Sequence, residues 1–252
     1  MKGKTLLFLT LSSIIPATAS AFEPIEWPSE PVVAVLGASG AAAGTPVESP
    51  FGGMRVAGGS YLALGHALIQ ENIRVQIVAQ AGAYSYDVPE TGWLGYQSQY
   101  EKAVLQSNWI DETNSLVAVV IDPMNDCLHS VICSESDIDG YIQNALDVAL
   151  IARDSGKCVI VNAPMAWADI DLPRGVAPYG ITITPSEEEY AILTNKHREV
   201  FEGVEGVNYV YSYEGMTAFD GLHWDSKSAK KGARRIAKVL QEQCGINSED
   251  ED

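Results

Sequence analysis

Pro31-Val32-Val33-Ala34-Val35-Leu36-Gly37 is an unbroken apolar run, rich in β-branched residues, that ends in a glycine. With no polar alternation it reads as a strand buried on both faces, and Gly37 marks where the chain turns off it. The same pattern recurs at Ile73–Ala79 (IRVQIVA), Leu116–Ile121 (LVAVVI), Cys158–Val161 and Val207–Val210. Segments with apolar residues at helical spacing follow each strand: Ser60–Glu71, Gly95–Ser107, Ile138–Asp154, Ser186–Glu202 and Ser226–Gln243. The unit is βα repeated five times. Strands this apolar need cover on both faces, and right-handed crossovers put successive helices there. The expected fold is therefore α/β, a three-layer α/β/α sandwich around a doubly wound, parallel, five-stranded sheet.

In such sheets ligands bind outside the carboxyl ends of the strands, so chemistry is sought in the loops that follow them. Ser39 lies two residues beyond Gly37, Gly82 follows the second strand, and Asn125 follows the third. Asp220 and His223 stand just before the last helix, three residues apart, a spacing that lets a carboxylate address one imidazole nitrogen while the other faces elsewhere. A serine hydroxyl is a weak nucleophile and needs such a base, which in turn needs a group to fix its tautomer. Acyl transfer also needs donors for the oxygen that becomes negative. The side-chain-free backbone of Gly82 and the amide of Asn125 are of the right kind. Each feature alone has a plain structural explanation: a surface Asp-His pair, a turn glycine, a loop-capping asparagine.

As an ordered set these residues resemble the SGNH hydrolase superfamily, the GDSL-type esterases and lipases. That family carries Gly-Asp-Ser after the first strand, an Asn-Ala-Gly-like block after the second, Gly-x-Asn-Asp after the third and Asp-x-x-His near the C-terminus. Here the blocks read Gly37-Ala38-Ser39, Gln80-Ala81-Gly82, Pro123-Met124-Asn125-Asp126 and Asp220-Gly221-Leu222-His223. The resemblance spans Val35 to His223 and implies a flavodoxin-like fold, Ser39 as nucleophile, His223 as base then acid, and Asp220 as its orienter. Its oxyanion hole would comprise the backbone N–H groups of Ser39 and Gly82 with the Asn125 side chain. Ala38 replaces the family's aspartate, Pro123 its glycine and Gln80 its asparagine. Ala38 cannot hydrogen-bond to hold the serine turn, and Pro123 stiffens the approach to Asn125.

Two other classes compete. The stretch Gly37-Ala38-Ser39-Gly40-Ala41-Ala42-Ala43-Gly44 looks like a dinucleotide-binding turn, but its glycine spacing departs from G-x-G-x-x-G and Pro46 and Pro50 interrupt the helix that should follow. The other class is an inactive SGNH-like module that binds carbohydrate or serves assembly. It is motivated by Ala38 and Pro123, and opposed by the presence of every residue the chemistry requires.

The N-terminus reads as an export signal: Lys2 and Lys4, an apolar run from Leu6 to Ile15 and Ala19-Ser20-Ala21 before a cleavage point. The expected organisation is a signal peptide over 1–21, one SGNH-hydrolase-like domain over 22–247 and an acidic tail over 248–252, giving a secreted or periplasmic protein. No apolar run is long enough to span a bilayer. The 16 basic residues less Lys2 and Lys4 leave 14 against 33 acidic, a formal charge of −19 that disfavours nucleic acid and anionic membrane surfaces as partners. Four cysteines in an oxidising compartment point to two disulfides, with Cys127–Cys133 and Cys158–Cys244 the favoured pairing of three. No metal-ligand spacing is present and no cofactor is implied. The expected partner is a small-molecule or glycan ester, with Tyr84, Tyr86, Trp93, Tyr96, Trp167 and Trp224 as candidate cleft walls. The absence of a long apolar lid segment favours short acyl or acetyl groups. Asp126 is expected to structure the Asn125 loop, and His66 and His197 to be packing or surface residues.

Overall fold

In the computed structural model, residues 31–42, 44–48, 54–58, 63–110, 116–128, 133–170, 185–216, 218 and 221–246 are described. The expected signal segment, the acidic tail and Asp220 lie outside them. The chain begins with β1 (Val32–Leu36), β2 (Gly44–Glu48), β3 (Met54–Gly58), α1 (Leu64–Ile69) and β4 (Val75–Ile77). It continues through α2 (Tyr96–Ile110), β5 (Leu116–Ile121), α3 (Glu135–Asp154) and β6 (Cys158–Asn162). It then passes through α4 (Glu187–Glu202), β7 (Val207–Val210) and α5 (Ser226–Cys244).

Five strands form one sheet in the order β4-β1-β5-β6-β7, and every pair is parallel. Counted along the chain, that order is 2-1-3-4-5, the flavodoxin-like arrangement, with its reversal between β1 and β5. Alternate residues of β1 serve opposite faces. Val32, Ala34 and Leu36 join the core under α2, α3 and α4, while Val33 and Val35 join the core under α1 and α5. Both faces are dry, which is why the strands show no polar alternation. Each well-buried Val, Ile or Leu contributes roughly 1.5–3 kcal/mol relative to exposure.

Local signals agree with these boundaries. Ser134 with Asp137, and Ser186 with Glu189, form capping boxes at the starts of α3 and α4. Asp225 caps α5 by accepting from the Ser228 N–H, and Gly245 ends it in the left-handed conformation at φ 66°. Both expected disulfides are present: Cys127–Cys133 closes a loop after β5, and Cys158–Cys244 ties the start of β6 to the end of α5.

The structure departs from expectation between β1 and α1. That Gly- and Pro-rich stretch contains an antiparallel ribbon, β2 with β3, in which Pro46 faces Val56. A two-stranded ribbon has only edge strands, so a proline there disrupts no second ladder. Helix α1 is shorter than Ser60–Glu71, and β4 is shorter than Ile73–Ala79 because it is an edge strand paired only with β1.

Candidate active site

The sheet's reversal places the ends of β1 and β5 side by side, with Leu36 in register with Ile121. The loops carrying Ser39 and Asn125 therefore leave the sheet as neighbours, and the Asp122 N–H donates to the Leu36 carbonyl at 3.0 Å. Gly37 turns the chain at φ 144°, where a Cβ would lie 2.9 Å from Asp122 Cβ, so only glycine fits. Beyond it the backbone makes one helical turn, with the Ala42 N–H bonded to the Ala38 carbonyl at 2.8 Å, and Ser39 sits in that turn.

His223 arrives from the segment before α5, 184 residues away in sequence, and its Nε2 lies 2.9 Å from Ser39 Oγ. The imidazole is buried, and the following Trp224 stacks on Tyr213 with ring centroids 4.5 Å apart. That packing, together with the Asp225 cap, anchors the segment on which His223 sits. The pair has the geometry of a serine and its general base.

The loops after β4 and β5 are joined at the Ala83 carbonyl and again at Ser85. Ala83 C=O accepts from the Asn125 backbone N–H at 3.2 Å and from Asn125 Nδ2 at 3.0 Å. One Nδ2 hydrogen remains, and Asn125 lines the same cavity as Ser39, Gly82 and His223. Gly82, at φ 87°, is pressed against Trp93, whose Cζ2 would lie 2.6 Å from a Cβ. Gln80 accepts the Leu94 N–H at 2.7 Å and so fixes the segment that carries Trp93. Asp126 structures its loop as expected: it accepts the Ser85 N–H at 2.8 Å and the Ser85 hydroxyl at 2.6 Å. Burial raises the Asp126 carboxyl, while these bonds oppose the shift.

Residues that the sequence reading did not single out complete the site. Gln99, on the buried face of α2, accepts the Gly37 N–H at 2.8 Å and donates to the Gly37 carbonyl at 3.1 Å and the Leu94 carbonyl at 2.8 Å. It anchors the Ser39 turn, which Ala38 cannot hold. Its signal was available: Tyr96, Gln99, Tyr100 and Ala103 fall at helical spacing, and Gln99 is the polar member of that buried stripe. Asp122, directly after β5, is also fully buried and accepts from Asn162 Nδ2 at 2.6 Å. Burial pushes its carboxyl up to about 7, with the Asn162 bond opposing.

A cavity of about 390 Å³ opens beside these groups. Of the aromatic residues expected to wall it, Trp93 and Trp224 do, whereas Tyr84, Tyr86, Tyr96 and Trp167 do not. Tyr96 faces inward from α2 and donates to the Asp122 carbonyl at 2.8 Å, and Tyr84 stacks on Tyr86 instead. Tyr141, Tyr190 and Tyr213 line the cavity in their stead. His197 is buried on α4 with Nδ1 3.0 Å from the Tyr209 hydroxyl, a packing role as expected. The dinucleotide alternative loses its structural basis, since the chain passes from one helical turn into β2 and no phosphate-binding helix follows β1.

The fold and these paired loops define a class: a doubly wound α/β protein with a serine–histidine pair at its topological switch point. No model of a protein family matches the sequence, and no curated protein matches it. Solved structures share the fold. One is Est24, a carbohydrate acetylesterase from Sinorhizobium meliloti, at TM-score 0.59 and 15% identity over 84% of this chain and 98% of that one. Another is an aryl esterase from M. smegmatis, at TM-score 0.58 and 13% identity over 86% and 100%. A third is a GDSL-like lipase from Bacteroides thetaiotaomicron, at TM-score 0.53 and 14% identity over 84% and 88%.

Proposed function

We propose that this chain is a secreted serine ester hydrolase that acts through an acyl-enzyme on Ser39, on short-chain acyl or acetyl esters. The observation that carries it is the 2.9 Å approach of His223 Nε2 to Ser39 Oγ, on the wall of a cavity also lined by Gly82 and Asn125. Two disulfides support the export reading, and among the described residues no helix is long and apolar enough to cross a membrane.

In the proposed mechanism His223 takes the Ser39 proton as Oγ attacks the ester carbonyl. The Ser39 and Gly82 N–H groups and the free Asn125 Nδ2 hydrogen stabilise the oxyanion, each such donor being worth roughly 2.7–4 kcal/mol in a measured case. The imidazolium then protonates the leaving alcohol, leaving an acyl group on Ser39. Water, deprotonated by His223, attacks that acyl group, and the proton returns to Ser39 as the acid departs. Asp220, three residues before His223, is assigned the orienting carboxylate.

Ser39→Ala is expected to abolish hydrolysis of p-nitrophenyl acetate, and retention of wild-type turnover overturns the assignment. A fluorophosphonate probe is expected to label Ser39 in the wild type and not in His223→Ala. Absence of wild-type labelling, together with absence of turnover, points instead to a binding module.

A further inference from the structure

Resting on the ester-hydrolase reading, we propose that Asp122 is a specificity-determining residue whose carboxyl hydrogen-bonds a hydroxyl group carried by the substrate close to the scissile ester.

The main chain of Asp122 is held on both sides, its N–H by the Leu36 carbonyl at 3.0 Å and its carbonyl by the Tyr96 hydroxyl at 2.8 Å. The side chain is 2% exposed and lines the cavity with Ser39 and His223. Its two oxygens are unequal. Oδ1 accepts from Asn162 Nδ2 at 2.6 Å. Asn162 is itself locked, because its own oxygen accepts the Ser212 hydroxyl at 2.6 Å and the Ser212 N–H at 3.2 Å. Its amide therefore cannot turn to serve the second oxygen as well. Oδ2 lies beside Gly40, the residue after the nucleophile, and a Cβ there would sit 3.3 Å from it. Among the described residues, Asn162 supplies the only hydrogen bond to this carboxyl, and no lysine or arginine lines the cavity.

The cavity wall also carries apolar side chains, among them Met124, Met165 and Leu193. Two further buried polar atoms, the Tyr141 and Tyr213 hydroxyls, belong to lining residues and have no bond within hydrogen-bond geometry. The Tyr96 hydroxyl and the Trp224 side chain stand near them, outside that geometry. The second oxygen has no protein partner and opens onto the cavity, where water serves it until a ligand group able to make the same bond displaces that water. A hydroxyl suits it in either protonation state, because it donates to a carboxylate and accepts from a carboxylic acid. An ammonium suits only the charged form and an alkyl group neither. A site built to bond a substrate hydroxyl also rejects the analogue that lacks it, since the protein group is then left unpaired.

The test uses the full chain and two pairs of esters, with kcat/KM normalised to each ester's rate of hydrolysis by hydroxide. One pair carries the hydroxyl on the alcohol, 2-hydroxyethyl acetate against propyl acetate. The other carries it on the acyl group, ethyl glycolate against ethyl propionate. The wild type is expected to prefer the hydroxylated member of at least one pair by about tenfold or more, and the responding pair tells which side of the ester meets Asp122. Asp122→Leu is expected to remove the preference, and Asp122→Asn, which still hydrogen-bonds, to keep part of it. Gly40→Ala, which covers Oδ2 and leaves the carboxyl in place, is expected to reduce it in the same sense, and it decides the matter if the leucine variant does not fold. Equal normalised rates in both wild-type pairs, or a preference that survives both Asp122→Leu and Gly40→Ala, overturns the proposal. If p-nitrophenyl acetate is hydrolysed in a Ser39-dependent manner while the pairs show no preference, the substrate assignment fails and the ester-hydrolase reading stands. If no ester is hydrolysed, both fail.

Discussion

Gln99 grips Gly37 from both sides, accepting its N–H and donating to its carbonyl across 62 residues of sequence. The turn that presents Ser39 is thus held by a side chain from α2, in a protein whose residue before that serine is alanine.

Gln99→Leu keeps the volume and removes both bonds to Gly37 and the one to the Leu94 carbonyl, leaving the buried Gly37 amide and carbonyl without this partner. The expected loss of stability is about 1–3 kcal/mol, read from the midpoint of chemical unfolding. In the proposed esterase, kcat is expected to fall by about ten- to a hundredfold with KM little changed, because the displaced turn affects attack more than binding. An unchanged kcat removes Gln99 from the positioning of Ser39.

Asn125→Ala deletes the proposed oxyanion donor and one of the two bonds to the Ala83 carbonyl. The backbone N–H of residue 125 still reaches that carbonyl, so the loop keeps one anchor. Steady-state kinetics on p-nitrophenyl acetate are expected to show kcat lower by about 10²–10³-fold.

Gly82→Ala meets two obstacles. Its φ of 87° is one that L-residues rarely adopt, and its methyl would fall 2.6 Å from the Trp93 ring. Both activity and thermal midpoint are expected to drop. Adding Trp93→Ala relieves the steric conflict but not the backbone strain, so recovery in the double variant should be incomplete. Full recovery assigns the whole effect to Trp93.

Stability against pH should carry two opposing slopes. Burial holds His197 down to about 3 from an ordinary 6.5, so the unfolded chain binds the extra proton and stability is lost as pH falls through that interval. Asp122 runs the other way: raised from 3.8 to about 7, it is protonated when folded, and its contribution is lost as pH rises from about 4 to about 7. Each slope is on the order of 1 kcal/mol per pH unit, so between pH 4 and 6.5 they offset. Denaturant unfolding across that range is expected to show stability falling with pH in His197→Phe and rising with pH in Asp122→Asn. The same slope in both variants and the wild type contradicts the assignment.

Replacing Cys158 and Cys244 together by serine frees the end of α5 from β6. Removal of a disulfide closing so long a segment, 86 residues, is expected to cost about 2–5 kcal/mol. Loss of the bond at Cys127 and Cys133, six residues apart, should cost less and act chiefly on the Asn125 loop.

The alternation of strands and helices was legible because burial on both faces of a parallel sheet writes itself into composition, as in LVAVVI at Leu116–Ile121. The β2–β3 ribbon was not, since Gly44–Glu48 carries a glycine and a proline and shows no period-two pattern. The partners of the site divide in the same way. Ser39, Gly82 and Asn125 stand in sequence order after strand ends, and His223 just before the last helix, where chemistry is expected. Tyr96 was read as a cleft wall, but its helix turns it into the core, a matter of rotation about an axis that strand-end position does not record.

Sequence alone thus determined the order of the sheet strands and helices, the strands that must be buried and the residues with suitable chemistry, because each follows from local periodicity and residue type; it favoured one cysteine pairing of three, which the structure contains. Tertiary structure alone decided that β1 and β5 lie adjacent at the switch point, bringing His223 within 2.9 Å of Ser39 across 184 residues. It also decided that Gln99 holds Gly37 and that the second oxygen of Asp122 is left beside Gly40. Those are long-range pairings of polar groups. They arise only when the apolar layers close and fix which loop ends meet, and no spacing along the chain encodes them.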